Sequence, residues 1–209
     1  MNYLKRILSL SGLLIAPFLL QQCCREEHRN YTLANLFPRL VDSFSFASQP
    51  QGNSMDFGSH TFRVQHHFRY ASVHHYGGAS LMALTLNCPT YYRSLAAVNG
   101  LNIRAGSSVF SGVQPGDSLQ QFCEFRLLED HITKGPADEH WGSLEQLLRN
   151  LNARMRSGAT TASSVGQPRL DFVFRFKQKP LSGWQSIYLE LNLSNGETVT
   201  GDAYEFQLQ

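Results

Sequence analysis

Near its C-terminus the chain alternates apolar and polar residues over several stretches. Phe172, Phe174 and Phe176 are separated by Val173 and Arg175. Ile187, Leu189, Leu191 and Leu193 are separated by Tyr188, Glu190 and Asn192. A period of two puts one set on a single face of a β-strand, whereas a helix would scatter it around its circumference. The chain is therefore bound to build sheet with an apolar face, and that face needs a second layer to cover it. Asn195-Gly196 supplies a hairpin signal, and Tyr204, Phe206 and Leu208 form a last strand face.

The same pattern recurs earlier. Phe62, Val64, Phe68 and Tyr70 share one parity, and Arg63, Gln65, His67 and Arg69 the other. Tyr76-Gly77-Gly78-Ala79 reads as a turn, with a second strand from Leu81 to Cys88 ended by Pro89. Residues 101–113 and 118–128 read as two more strands, joined near Gln114-Pro115-Gly116-Asp117.

Two segments carry helical spacing instead. Trp141, Leu144, Leu147, Leu148, Leu151 and Met155 make an apolar stripe. Asp138, Glu139 and Glu145 lie toward its start, Arg149, Arg154 and Arg156 toward its end, and Gly158 is a stop. From Leu33 to Phe44 apolar residues fall at 33, 36, 37, 40, 41 and 44, which predicts a short helix starting or kinked at Pro38. The sum is an α+β chain. Its mostly antiparallel sheet is sandwich-like or single, with one main amphipathic helix packed on it. The expected division is a signal peptide over 1–22, a tether and short N-terminal helix over 23–58, and a single α+β domain over 59–209.

The N-terminus bears on compartment. Lys5 and Arg6 precede a run from Ile7 to Leu20 whose only polar members are Ser9 and Ser11. A spanning helix needs about 20 apolar residues. This shorter run, with its basic head and abrupt polar shift after Leu20, reads as a signal peptide. No small-x-small cleavage site follows. Instead Leu20-Gln21-Gln22-Cys23 resembles the end of a bacterial lipoprotein precursor, with Leu20 where that class places Leu and Gln22 where it places Gly, Ala or Ser. The resemblance covers residues 1–24. It implies lipid on Cys23 and a mature chain held at a membrane surface without spanning it. The alternative is a secreted or lumenal protein, to which the sequons Asn30-Tyr31-Thr32 and Asn192-Leu193-Ser194 would be open.

Charge sets a further bound. The chain has 18 basic and 16 acidic residues, and loss of 1–22, with Lys5, Arg6 and no acid, leaves the two kinds equal. A neutral mature chain lacks the basic footprint of a nucleic-acid binder. Cys88 and Cys123 each carry the apolar parity of a strand-like run, so both should face the core. In an oxidising compartment they are expected to be bonded, worth about 3–4 kcal/mol in the chain-entropy model; two separate core thiols are the alternative.

Five of eight histidines lie between residues 60 and 75: His60, His66, His67, His74 and His75. Imidazoles ligate zinc, copper and nickel. His60, His66 and His74 share a parity, and His75 lies beside the Gly-Gly turn, so these four are the metal-ligand candidates. His66, however, sits among Phe62, Val64 and Phe68 and looks core-facing, and the closest acid is Asp56. Asp130, His131, Asp138, Glu139 and His140 are the residues available to a hydrolase, but no G-x-S-x-G or H-E-x-x-H is present. No phosphate-binding glycine loop occurs, so no cofactor is implied. Tyr91, Tyr92, Phe110 and Trp184 could line a ligand groove or fill the core. The sequence thus points to an exported, lipid-anchored envelope protein with a non-enzymatic binding or assembly role. Its partners would be the membrane and an unidentified protein or small molecule. The alternative is an exported metal-binding protein or hydrolase using His60–His75.

Overall fold

The computed structural model describes residues 27–46, 53–74, 90–128, 141–156 and 170–209. Ten strands and one α-helix are found among them. The strands are β1 (Glu27–Asp42), β2 (Ser54–Met55), β3 (His60–His74), β4 (Thr90–Ser94), β5 (Val98–Ala105), β6 (Cys123–Leu127), β7 (Phe172–Phe176), β8 (Gly183–Leu193), β9 (Thr198–Thr200) and β10 (Tyr204–Leu208). The helix α1 spans Leu144–Arg156, and a 3-10 turn, Gln120–Phe122, leads into β6. One sheet runs β4-β1-β3-β7-β6. The other runs β2-β10-β8-β5, with β9 also paired to β8. Among the described strands β1–β4 and β2–β10 pair in parallel, and the other strand pairs are antiparallel.

The alternating residues do what their period requires. Phe62 and Val64 of β3 and Phe172, Phe174 and Phe176 of β7 point inward from the first sheet. Ile187, Leu189 and Leu191 of β8 and Phe206 and Leu208 of β10 point inward from the second, and all belong to one buried core. Aromatic rings join the layers: Phe62 stacks on Phe174 at 4.8 Å and meets Phe206 of the facing sheet edge-on at 5.2 Å. The architecture of the described residues is a two-sheet β-sandwich with one α-helix. The layers also touch at Gly201, where a Cβ would lie 2.7 Å from the Leu36 carbonyl oxygen, so the approach needs a residue without a side chain.

Helix α1 begins where Ser143 accepts a hydrogen bond from the Gln146 N–H at 3.3 Å, the Ser-x-x-Gln arrangement of a helix start. Leu147, Leu151 and Met155 are buried in the common core. The helix packs against β5 and β6, an edge strand of each sheet. Its Asn152 side chain accepts from the Val98 N–H at 2.8 Å and donates to the Val98 carbonyl at 2.7 Å. Farther along β5, the Leu119 N–H donates to the Ile103 carbonyl, the Ala105 N–H to the Asp117 carbonyl, and the Gly116 N–H to the Ala105 carbonyl. The Gln120 amide donates to the Leu101 carbonyl.

The helix expected over 33–44 does not form; the segment belongs to β1, and residues 27–31 of the expected tether are its first part. A bulge explains the misleading period. Leu33 pairs with Phe68 and Asn35 with His67, so Ala34 is an extra residue that shifts the inward parity. Tyr31 and Leu33 are buried before it, Leu36 and Leu40 after it. Val41, next to Leu40, is buried on the opposite face in a second cluster with Phe46, Leu128 and Val173. A bulge in a strand covered on both sides thus mimics i, i+3, i+4 spacing. The strands expected over 101–113 and 118–128 are also shorter: β5 ends at Ala105, β6 begins at Cys123, and loop and 3-10 turn fill the interval. The predicted turn at Tyr76–Ala79 and strand Leu81–Cys88 lie outside the described residues, as does the whole segment 1–26.

Candidate functional site

Strands β3 and β7 are paired only from Phe62 to Val64 and from Phe172 to Phe174. Beyond Phe62 and Phe174 they part, and a pocket of about 180 Å³ opens in the gap. Buried Met55 and Phe176 and half-buried Phe57 give it an apolar part. His60, Glu124, Arg175 and Lys177 supply its polar groups. The turn Asp56–Ser59 forms one wall. Gly58 there has φ +97°, a left-handed conformation that other residues adopt at a cost. The turn is closed by the Ser59 and His60 N–H groups, both donating to the Asp56 carbonyl.

The polar groups are held in distinct ways. His60 Nδ1 accepts a hydrogen bond from the Asp56 N–H at 2.8 Å. Arg175 donates through Nε to Glu124 at 2.5 Å, and its guanidinium lies 4.3 Å from the centre of the Trp141 ring. Lys177 Nζ donates to the Gln121 carbonyl at 3.1 Å. The Glu124 carboxylate balances Arg175, and the Lys177 ammonium is left as the net charge of the pocket.

Of the residues singled out in the sequence, His60 reaches this pocket. His66 faces the core beside Phe172, with ring centroids 5.7 Å apart, and among the described residues neither of its nitrogens has a hydrogen-bond partner. Burial lowers its pKa to about 4, against the weaker opposing pull of Asp171, so it stays neutral. His67 lies on the outer face against Phe37 at 4.5 Å. His60, His66 and His74 are all in β3. The extended backbone sets His60 and His66 about 20 Å apart, too far to share one ion. His75 lies outside the described residues. Among the described residues no three of His, Cys, Asp and Glu are grouped to hold a metal ion.

Cys123 is buried, as its parity required, and has no disulfide partner among the described residues; burial pushes a thiol there far above its ordinary range, away from nucleophilic use. Cys88 and Cys23 lie outside the described residues, as do Asp130, His131, Asp138, Glu139 and His140. Three of the four aromatics proposed for a groove, Tyr92, Phe110 and Trp184, are placed in different surroundings. Phe110 is core, packed on Phe122 and Phe176. Tyr92 is buried, Trp184 is exposed on β8, and the Tyr91 side chain is not described. The residues that sequence reasoning missed are Met55, Phe57, Glu124, Arg175 and Lys177. They come from separate segments of the chain and carry no joint motif.

No family model matches this chain, and no curated protein does. Solved structures with some likeness include one titled BspA_C_WT, at 8% identity and a TM-score of 0.28, covering 83% of this chain and 50% of that one. Another is the C-terminal domain of the Streptococcus pyogenes antigen I/II-family protein AspA, at 9% identity and a TM-score of 0.29, covering 83% and 46%. The chain spans about half the length of each. At these scores the likeness carries no argument about what this chain does. Its class rests on its own architecture: a β-sandwich with a small amphipathic pocket at one end of a strand pair.

Proposed function

We propose that this chain is an exported, non-enzymatic binding protein of the cell envelope, anchored through lipid on Cys23. The observation that carries the reading is the N-terminal address: Lys5 and Arg6, an apolar run to Leu20 too short to span a bilayer, and a cysteine three residues later. Among the described residues no helix is long and apolar enough to cross a membrane, which leaves β-barrels aside. The sandwich supports a binding role because a pocket on rigid strands holds its lining side chains in place without a conformational step.

Mass spectrometry of the mature N-terminus tests the anchor. A diacyl or triacyl adduct on Cys23, lost in Cys23→Ser with release of the protein from the membrane fraction, is the expected result. An unmodified start at another residue removes the anchor. In the same oxidising setting we propose that Cys123 bonds with Cys88; alkylation of unreduced protein unfolded in urea, where a buried thiol becomes reachable, should then leave both unlabelled, and two alkylated thiols would reject the pair.

A further inference from the structure

The pocket between β3 and β7 combines two chemistries that together restrict its occupant. Half-buried Phe57 offers carbon surface, backed by the nearly sealed Met55 and Phe176, and a ligand without an apolar body would leave that wall uncovered. Lys177 lines the pocket with an ammonium whose hydrogen bond goes to a neutral carbonyl, that of Gln121. Arg175 adds guanidinium N–H groups beyond the Nε that it gives to Glu124. Glu124 opposes negative charge and opposes two charges more than one, while the two cations Arg175 and Lys177 outnumber it in the lining. The volume of about 180 Å³ corresponds to roughly six waters of liquid, enough for a short carbon chain with one head group.

We propose that this pocket binds a monocarboxylate on a short apolar body, with the carboxylate on Lys177 and Arg175 and the carbon chain against Met55, Phe57 and Phe176. Charge-assisted hydrogen bonds to an ammonium are about twice as strong as neutral ones, so the head group should control recognition. The proposal gives the binding role above a ligand class, and the two can fail separately. An unlipidated Cys23 leaves the pocket untouched, and a pocket blind to carboxylates leaves the anchor untouched.

The test uses the full chain with methyl-labelled methionine. It has four methionines, and Met55→Leu assigns the reporter signal. Butyrate and butyramide are titrated in parallel. Butyrate should shift the Met55 methyl in a saturable way, with the amide weaker by about tenfold, near 1.4 kcal/mol. Lys177→Gln, at an exposed side chain, should weaken butyrate by a similar factor and leave the amide unchanged, with an unaltered circular dichroism spectrum. N-acetyl-leucine against N-acetyl-leucinamide separates a peptide C-terminus from a free short acid. A preference for either acid over its amide upholds the proposal and identifies the source. Equal response to acid and amide in both pairs, no response at all, or full butyrate binding by Lys177→Gln overturns it.

Discussion

Strand β7 shows its two faces to different surroundings. Inward, Phe172, Phe174 and Phe176 belong to a mainly apolar cluster that reaches across to Phe206, with the neutral His66 ring beside Phe172. Outward, Val173 is just as buried, but its company is mixed. Val41, Phe46, Leu128 and Trp141 surround it, with the Arg126 guanidinium 5.5 Å from the Phe46 ring centre and Arg175 over Trp141. Arg63 pairs with Asp171, and Arg175 with Glu124, at the margin of this patch. The inner face is sealed by a second sheet. The outer one is covered by a few side chains whose cations lie on aromatic rings, so its burial depends on fewer and more exposed contacts. The turn after β1 reflects this: Phe46 holds a left-handed φ of 51°, a conformation costing about 1–2 kcal/mol, while its ring is buried in the patch.

The largest difference between the faces should come from truncation. Phe174→Ala is expected to cost about 3–5 kcal/mol, because the cavity left between two sheets cannot collapse. Urea unfolding at neutral pH measures it, and a cost below that of Val173→Ala would break the comparison. Acid should act next. In the inner core His66 has its pKa lowered to about 4 from 6.5. Between those values the unfolded chain binds the proton and the folded chain does not. Stability is therefore full above pH 6.5, falls as pH drops toward 4, and levels below it. The loss from this group is about 3 kcal/mol. Unfolding curves from pH 7 to 4 should show it, and His66→Leu should flatten them; an unchanged slope would remove His66 as the cause. At lower pH Asp42 adds a second loss. Hydrogen bonds, first from the Ser45 backbone N–H, hold its pKa below the ordinary carboxylate value, and that stability disappears as pH falls through the depressed value.

On the outer face, Val173→Ala should cost about 2 kcal/mol by loss of buried methyl surface. Arg175→Ala should cost about 1 kcal/mol at most, since the ion pair is partly in solvent and the ring contact is modest. Raising salt to 1 M should shrink the Arg175 effect and leave the Phe174 effect unchanged, which sharpens the distinction between a charged cover and a carbon seal.

How far the sequence reveals this fold follows from what each region buries. β8 and β10 are legible because one face is apolar and the other wet, so period two stands out, and β7 is legible from its three phenylalanines at alternate positions although Val173 is buried on its other face. Helix α1 is legible from Leu144 to Met155. Trp141, read as part of its stripe, lies before the helix and covers the outer patch instead. β1 is illegible for two local reasons: the extra residue Ala34 reverses its parity, and Leu40 and Val41 are buried on opposite faces. The inward direction of His66 is readable from its neighbours, and so is that of Cys123. The pocket is not, because Met55, His60, Glu124 and Lys177 meet only once strands distant in sequence are paired and then splayed.

The hydrogen bonds along the outer side of β5 bear on how copies of this protein meet. Unpaired strand borders let one molecule continue another's sheet, the ordinary first step toward fibrils. Here Asn152, Leu119, Gln120, Gly116 and Ala105 already occupy donors and acceptors that such an addition would use. Molecules crowded together meet a closed seam on that flank, and chain-to-chain growth from it would first require tearing α1 and the 106–119 loop away.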